Sequence, residues 1–163
     1  MRSMKHEIVI DRVNSENFEE FFFLINKLAE YEKLTPPDAE AKARLKKDGL
    51  STEPRYEAYL GKLGEKAVGY IIFFLTYSSF LALPTLYLED IFVLEEYRRK
   101  GIGQQLFEFC IKQAKDRGCS RIELCVLNWN VPALKFYEKN HAMRLDWTFY
   151  RLNRKQIEDY HGD

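Results

Sequence analysis

A short run of cations and glycines between residues 98 and 103 has the composition of an anion site. The run is Arg98, Arg99, Lys100, Gly101, Ile102 and Gly103. Apolar residues at helical spacing follow it, so the run lies where a helix begins, and unpaired N–H groups and the helix dipole favour negative charge there. The two glycines let a phosphate approach without a Cβ in the way. The run therefore predicts a pyrophosphate site.

Other nucleotide-binding motifs do not match this run. It has neither the GxGxxG pattern of a dinucleotide fold nor the GK[ST] ending of a P-loop, which counts against NAD, ATP and GTP. Two glycines beside basic residues also occur in ordinary solvated turns. The neighbouring elements have to decide between these interpretations.

Two adjacent carboxylates, Glu89 and Asp90, interrupt an apolar segment shortly before the run. In a regular strand their side chains point to opposite faces. Burial would raise the pKa of Glu89 and make it a general base. Pairing with a nearby arginine would instead give either carboxylate a structural role.

The elements that must position these residues follow from the hydrophobic period. The predicted strands are residues 7–13, 56–62, 67–77, 85–94, 121–127 and 143–152. The predicted helices are residues 14–31, capped by Asn14 or Ser15, 39–47, 104–117, Val131–Lys139 and 153–160. The strand, turn, helix, strand order around the basic run implies a parallel crossover. We predict an α/β (α+β) fold with a mixed, mostly antiparallel twisted sheet and helices on both faces.

Composition narrows the function classes. The chain has 163 residues, 46% of them hydrophobic, which predicts one domain over residues 1–163. Its 25 basic and 25 acidic residues give a net charge near zero, so nucleic acid and membrane partners are not expected. The three cysteines lack zinc-site spacing, so no metal is expected. The N-terminus lacks the apolar stretch of a signal peptide, which predicts a cytoplasmic protein.

Three segments resemble the GNAT superfamily of N-acetyltransferases, and most of all its spermidine/spermine (diamine) branch. They are the basic turn from Arg98, the stretch of residues 86–93, and the stretch of residues 128–137. The order and spacing of elements is similar over nearly the whole chain. The resemblance implies acetyl-CoA as the cofactor, with its pyrophosphate on the turn and its pantetheine arm on the preceding strand.

The resemblance also implies site residues. The implied cofactor contacts are Ile91, Phe92, Val93, Arg98, Arg99, Lys100, Gly101, Ile102, Gly103, Asn130, Ala133 and Tyr137. The implied substrate contacts are Glu89, Asp90 and Tyr77. Asn130 can equally be the N-cap of the helix that follows it.

The chemistry of acetyl transfer gives two of these residues catalytic roles. An alkyl ammonium has a pKa of about 10.4, so a base must remove its proton near neutrality, and Glu89 is the candidate. Tyr137, with a reference pKa of about 10, is the candidate acid for the departing sulfur, although buried tyrosines more often only pack. Direct transfer in a ternary complex needs no cysteine nucleophile, so Cys125 is expected to be a buried structural thiol.

The predicted substrate is a primary amine of a small molecule: a polyamine, a diamine or a lysine-like amino acid. In the diamine enzymes an acidic residue and a Trp follow the Thr-Tyr pair, whereas this chain has Ser78 and Phe80. A carboxylate for a second ammonium is therefore missing. Alternatives are a protein or peptide acetyltransferase and a non-catalytic acyl-CoA-binding module. The resemblance and the 15% aromatic content favour a homodimer.

Overall fold

The computed structural model describes residues 7–162, in two units that divide after Cys125. The elements of the first unit are β1 (Val9–Arg12), α1 (Phe18–Glu32), α2 (Ala39–Gly49), β2 (Glu57–Leu63), β3 (Lys66–Ser78), β4 (Leu83–Val93), a 3-10 turn (Glu95–Tyr97), α3 (Ile102–Asp116) and β5 (Arg121–Leu124). The elements of the second unit are α4 (Val131–Lys139) and α5 (Arg154–Glu158). The prediction of one domain stays a prediction.

The strands form one sheet in the order β1-β2-β3-β4-β5. The first three pairings are antiparallel, and β5 pairs parallel to β4 through residues 85–88 and 121–124. Helix α3 connects β4 to β5, which is the connection that a parallel pair requires. The predicted mixed, mostly antiparallel sheet is confirmed.

Helices α1 and α3 pack on opposite faces of this sheet. On one face Tyr70 of β3 meets Phe21 of α1, with ring centroids 5.3 Å apart. On the other face Tyr59 of β2 meets Phe109 of α3, with ring centroids 4.7 Å apart. Alternate residues of a strand point to opposite faces, so the apolar period of the strands produces both layers. The prediction of helices on both faces is confirmed.

A glycine sets the spacing between α3 and the sheet. A Cβ added to Gly69 in β3 would lie 2.6 Å from the carbonyl oxygen of Phe92 and 3.3 Å from Leu106 Cδ1 of α3. A side chain at this position would push α3 or β4 away. The N-terminus of α3, which carries the basic turn, is therefore fixed close to the end of β4.

The helix ends differ in part from the prediction. Helix α1 begins at Phe18, because the side chain of Asn14 accepts the N–H groups of Glu16 and Asn17 in a turn that precedes the helix. Helix α2 is capped by Asp38, whose carboxylate accepts the N–H of Ala41 at 2.7 Å. The N-cap of α1, predicted at Asn14 or Ser15, is therefore Asn17, two or three residues later.

Three strand predictions need correction. The predicted loop of residues 78–84 is shorter, because Ser78 pairs with Leu83 and closes the hairpin. Strand β5 ends at Leu124 rather than at residue 127. The strand predicted over residues 143–152 is not formed, because these residues belong to no helix or strand. The described part of the second unit contains helices but no strand with which they could pair. An alternating pattern forms a strand only where a partner completes its backbone hydrogen bonds.

None of the helices in the described part of the chain combines the length and the apolar character needed to cross a membrane.

Candidate functional site

Strand β4 contains a β-bulge at the two neighbouring carboxylates. Ile72 of β3 pairs with Asp90, whereas the next residue, Phe73, pairs with Leu88. Glu89 is thus the extra residue of β4 and has no partner in the register. A bulge bends a strand and redirects its side chains. The two-residue alternation assumed for Glu89 and Asp90 therefore breaks at this point.

The bulge coincides with the place where β4 leaves β5. Within the described residues the parallel pairing of the two strands ends at Leu88 and Leu124. From Asp90 to Val93 the backbone of β4 pairs with β3 on one side and has no paired strand among the described residues on the other. This stretch offers backbone N–H and C=O groups to an extended ligand.

Asp90 is held by a buried tyrosine. The hydroxyl of Tyr70, whose side chain is fully buried, donates a hydrogen bond to Asp90 Oδ2 at 3.0 Å. The pKa of Asp90 is raised from 3.8 to about 6: burial raises it most, the hydrogen bond from Tyr70 lowers it, and the charges of Glu89 and Glu32 raise it. Asp90 therefore changes charge slightly below neutrality.

Two further carboxylates, Glu32 and Glu89, lie close enough for their charges to act on Asp90. Glu32, the last residue of α1, is half-buried, and burial raises its pKa. Glu89 is exposed, so the expected burial of Glu89 is wrong. The bulge is the physical reason, because the inserted residue does not follow the inward direction of its neighbours. Such a group of carboxylates favours a cation between them.

The basic turn has the backbone of an anion site. Arg99 (φ 60°) and Gly101 (φ 81°) are both in the left-handed region, and α3 starts at the following residue, Ile102. The N–H groups of Ile102 and Gly103 belong to the first turn of α3, where no helical carbonyl precedes them. The side chain of Ile102 is buried, so only its backbone is available to a ligand.

Glycine occupies positions 101 and 103 of the turn for different reasons. Gly101 needs its left-handed φ, which side chains rarely adopt. A Cβ added to Gly103 would meet only Val93 Cγ2 at 3.8 Å, which is an ordinary contact. Packing therefore does not require a glycine at position 103, whereas the close approach of a ligand does. This open space is the observation that fits the turn to a pyrophosphate.

The three cations of the turn lie in different surroundings. The guanidinium of Arg98 lies 4.4 Å from the ring centroid of Tyr31, and its Nε donates to the carbonyl oxygen of Val93 at 2.9 Å. The side chain of Arg99 is exposed. The ammonium of Lys100 lies 5.0 Å from the Tyr97 ring centroid.

The strand residues implied as pantetheine contacts have inward side chains. Phe92 is buried in the cluster beneath α1, and Ile91 and Val93 point to the α3 face, opposite Ile71 and Gly69. Their backbone groups on the side that β5 leaves unpaired are the groups open to a ligand. The carbonyl of Val93 is an exception, because it accepts from Arg98.

In the second unit, α4 carries the remaining candidates. Asn130 caps α4 by accepting the N–H of Ala133 at 3.3 Å, and Pro132 stands in the first turn. Tyr137 is half-buried, and its ring packs edge-on against Phe136, with centroids 5.2 Å apart. The capping role of Asn130 is thus confirmed, while its contact with a cofactor stays a prediction.

Tyr77 lies away from the carboxylates. It pairs with Pro84 near the tip of the hairpin and is 68% exposed. Glu89 lies five residues farther along β4, a distance of about 16 Å at the rise of a strand. The structure does not bring Tyr77 to the bulge.

Cys125 is exposed, so the expectation of a buried thiol is wrong for this residue. The hydroxyl of Tyr87 donates to its Sγ at 3.3 Å, and this hydrogen bond raises the pKa of Tyr87. Cys110, Cys119 and Cys125 are all free thiols.

Sequence reasoning missed Tyr31 and Tyr70. Each places a ring or hydroxyl on a residue of the site, Arg98 and Asp90 respectively. Tyr70 stands in an otherwise apolar strand, and a buried tyrosine hydroxyl must find a partner. The sequence therefore indicated that the Tyr70 hydroxyl needs a partner, but it did not indicate that the partner is Asp90.

Comparison with known proteins agrees with this geometry. The model of the acetyltransferase (GNAT) family matches residues 15–143. The thialysine N-epsilon-acetyltransferase of Bos taurus is 32% identical over 85% of this chain and 88% of its own length. The L-ornithine N5-acetyltransferase of Arabidopsis thaliana is 44% identical over 65% of this chain and 48% of its own length.

A solved structure shares the fold. An aminoglycoside N-acetyltransferase in complex with CoA superposes with a TM-score of 0.75 at 19% identity, covering 91% of this chain and 95% of that one. The resemblance to the acetyltransferases is confirmed by the family match, which spans most of the chain. The chain therefore belongs to the acetyltransferase (GNAT) family, and it is an N-acetyltransferase that uses acetyl-CoA.

Proposed function

We propose that this enzyme acetylates a primary amine of a small, lysine-like amino acid or diamine, by direct transfer within a ternary complex. The observation that carries the proposal is the bulge of β4, which sets Glu89 and Asp90 where the strand leaves β5. The two carboxylates attract a cationic acceptor to this point, beside the edge of β4 that β5 leaves unpaired.

The carboxylates of the first unit would hold the amine. The charge of Glu32 raises the pKa of Asp90, and a bound cation would favour the ionised form of both carboxyl groups. At neutral pH Asp90, with a pKa of about 6, is mostly ionised and attracts an ammonium. Glu89, exposed and adjacent, takes the proton from this ammonium directly or through a water molecule.

The turn and the free edge of β4 would hold the coenzyme. The N–H groups of Ile102 and Gly103, together with the cations of Arg99 and Lys100, suit the pyrophosphate. Backbone groups of Ile91 and Phe92 suit the amides of the pantetheine arm. Acetyl-CoA supplies an acetyl group activated as a thioester.

The transfer has a simple proton balance. The amine nitrogen bonds to the acetyl carbon, and the carbon–sulfur bond breaks. The nitrogen loses two protons in forming the amide: one leaves through Glu89, and the other replaces the proton that the Tyr137 hydroxyl donates to sulfur. Tyr137 as the acid remains a proposal of its own.

The relatives narrow the amine. Those reported above are named for thialysine and L-ornithine, which carry a side-chain amine on an amino acid. Ser78, where the polyamine enzymes carry an acid, is buried, and its Oγ accepts the N–H of Leu81 at 3.2 Å. Both facts favour an amino-acid acceptor over spermidine.

Thiol release from acetyl-CoA tests the proposal with lysine, thialysine, ornithine, putrescine, spermidine and short peptides as acceptors. We expect turnover with the amino acids and a lower kcat/KM with spermidine. Turnover with peptides alone would replace the proposal with a peptide acetyltransferase. Coenzyme binding without turnover on any acceptor would favour a binding module.

A homodimer also stays a prediction. Apolar side chains on the hairpin of β3 and β4 are exposed: Leu75, Tyr77, Phe80, Leu81 and Leu83. A patch of this kind favours association. Light scattering on the purified protein would measure its mass in solution. The cytoplasmic location and the lack of nucleic-acid or membrane partners stay predictions as well.

A further inference from the structure

The side chain of Arg98 connects the basic turn to two elements of the first unit, β4 and α1. Its Nε donates to the carbonyl oxygen of Val93, at the end of β4, at 2.9 Å. Its guanidinium carbon lies 4.4 Å from the ring centroid of Tyr31, near the end of α1, and 5.6 Å from that of Phe92. A guanidinium that stacks on aromatic rings and donates to a carbonyl is held in one orientation.

The next residue has the opposite environment. Arg99 adopts φ 60°, which reverses the direction of the chain, and its side chain is exposed. Two adjacent arginines of the same turn are thus separated in role: Arg98 faces the protein, and Arg99 faces solvent. The contacts that hold Arg98 do not involve Arg99, so the guanidinium of Arg99 is available to a phosphate at the turn.

Arg98 acts on the floor of the turn through Val93. The side chain of Val93 lies directly beneath the first turn of α3, 3.8 Å from where a Cβ of Gly103 would be. Fixing the carbonyl of Val93 therefore fixes the strand end on which this turn rests. Holding a binding turn in place before the ligand arrives lowers the cost of ordering it on binding.

We infer that Arg98 is a positioning residue of the coenzyme site, and that phosphate is bound by Arg99, Lys100 and the backbone of α3. This role rests on the proposed coenzyme site, and it differs from the expectation that Arg98 contacts the cofactor, which stays a prediction. Tyr31 belongs to the same device, because its ring holds the guanidinium of Arg98.

Variants that separate charge from geometry test this role by the Kd of acetyl-CoA, measured by calorimetry at several salt concentrations. Arg98→Lys keeps the charge but loses the Nε donor and the planar stack. Tyr31→Leu leaves Arg98 intact and removes its ring. We expect each to weaken binding about tenfold without changing the salt dependence. The double variant should bind no more weakly than Arg98→Lys.

Arg99→Ala is the contrasting variant, and Tyr160→Leu, at a tyrosine that is 74% exposed in the second unit, is the matched control for Tyr31→Leu. Arg99→Ala should make the salt dependence of Kd less steep, because a screened charge has been removed. Tyr160→Leu should bind like the wild type.

Wild-type affinity in Arg98→Lys, or in Tyr31→Leu, would overturn the positioning role. If Arg98→Lys fails to fold, Tyr31→Leu decides alone. If the wild type does not bind acetyl-CoA at all, the coenzyme site itself is wrong. If the wild type binds and the variants bind equally well, only the positioning role of Arg98 is wrong.

Discussion

Glu89 and Asp90 are sequence neighbours with unlike environments, because the bulge exposes the first and leaves the second half-buried, with a hydrogen bond from Tyr70. Water reaches the exposed carboxylate of Glu89, which can therefore pass a proton on, whereas the carboxylate of Asp90 is held by Tyr70 and contributes mainly its charge. The single-residue predictions below follow from this division.

Glu89→Gln removes the proposed base while keeping the shape of the side chain. We expect kcat/KM to fall by about 100-fold near neutrality and to lose less at high pH, where more amine is already neutral. The measurement is the pH profile of kcat/KM. Glu96→Gln, at an exposed residue of the 3-10 turn, is the matched control. An unchanged profile in Glu89→Gln would remove Glu89 from the mechanism.

Tyr137→Phe removes the proposed acid and keeps the ring that packs on Phe136. We expect kcat to fall at least about tenfold, with little change in the Kd of acetyl-CoA. Steady-state kinetics and calorimetry give the two values. Tyr160→Phe serves as the control, and full kcat in Tyr137→Phe would assign Tyr137 to packing.

Among the elements, the first turn of α3 is the proposed coenzyme site, and two glycines, Gly103 within it and Gly69 in the strand beneath it, separate binding from stability. Gly103 stands over open space, whereas Gly69 lies where a Cβ would be 2.6 Å from the carbonyl oxygen of Phe92. The same substitution should therefore have opposite effects at the two positions.

Gly103→Ala should leave the melting temperature unchanged or raise it, because alanine favours a helix by about 0.5–1 kcal/mol over glycine. It should also weaken acetyl-CoA binding at least about tenfold, because the methyl group occupies the space of the pyrophosphate. Thermal melts and calorimetry measure both. Gly69→Ala should lower stability by about 1–3 kcal/mol. Wild-type affinity in Gly103→Ala would place the phosphates elsewhere.

Elements with a strong period were predictable, and features that depend on partners were not. Leu106, Cys110 and Ala114 recur at helical spacing, and α3 forms with these residues buried. The alternation in residues 143–152 predicted a strand, but no strand partner is described in its unit. The hydrophobic pattern of a segment indicates which side chains prefer burial, whereas a strand also needs a neighbouring strand to complete its backbone hydrogen bonds.

The candidate site was predictable at its turn and less so at its strand. The glycines and cations of residues 98–103 predicted the backbone site at α3. The bulge has no local signal beyond two adjacent carboxylates in an apolar strand, because an inserted residue is defined by the register of β3. The contact of Arg98 with Tyr31 joins residues far apart in the sequence, and no spacing rule reports it.

At the scale of the whole molecule, the buried carboxylate links the site to folding stability. The pKa of Asp90 rises from 3.8 to about 6 on folding. The folded state therefore binds this proton more tightly than the unfolded state does, and stability is lost as the pH rises from about 4 to about 6. Keeping Asp90 ionised at neutral pH therefore lowers the free energy of unfolding by about 3 kcal/mol.

Asp90→Asn should remove that cost. The free energy of unfolding of the variant, relative to wild type, should increase by about 3 kcal/mol between pH 4 and pH 7. Denaturant titrations at a series of pH values measure the difference. Tyr160→Phe, at an exposed residue of the second unit, is the control and should give a difference that stays nearly constant between pH 4 and pH 7. A flat difference for Asp90→Asn would contradict the pKa of about 6.

The bulge at Glu89 also bears on how this strand tolerates insertions and deletions. Because one face of β4 meets α1 and the other meets α3, each paired residue of the strand has a fixed face, whereas Glu89 is the residue that the pairing with β3 does not use. Deleting Glu89 would leave Leu88 opposite Phe73 and Asp90 opposite Ile72 in a regular ladder, so these side chains would keep their faces. Deleting a paired residue such as Tyr87 would instead move neighbouring side chains to the wrong face. A deletion of Glu89 should therefore preserve the fold while removing the proposed base, and a deletion of Tyr87 should destabilise the sheet.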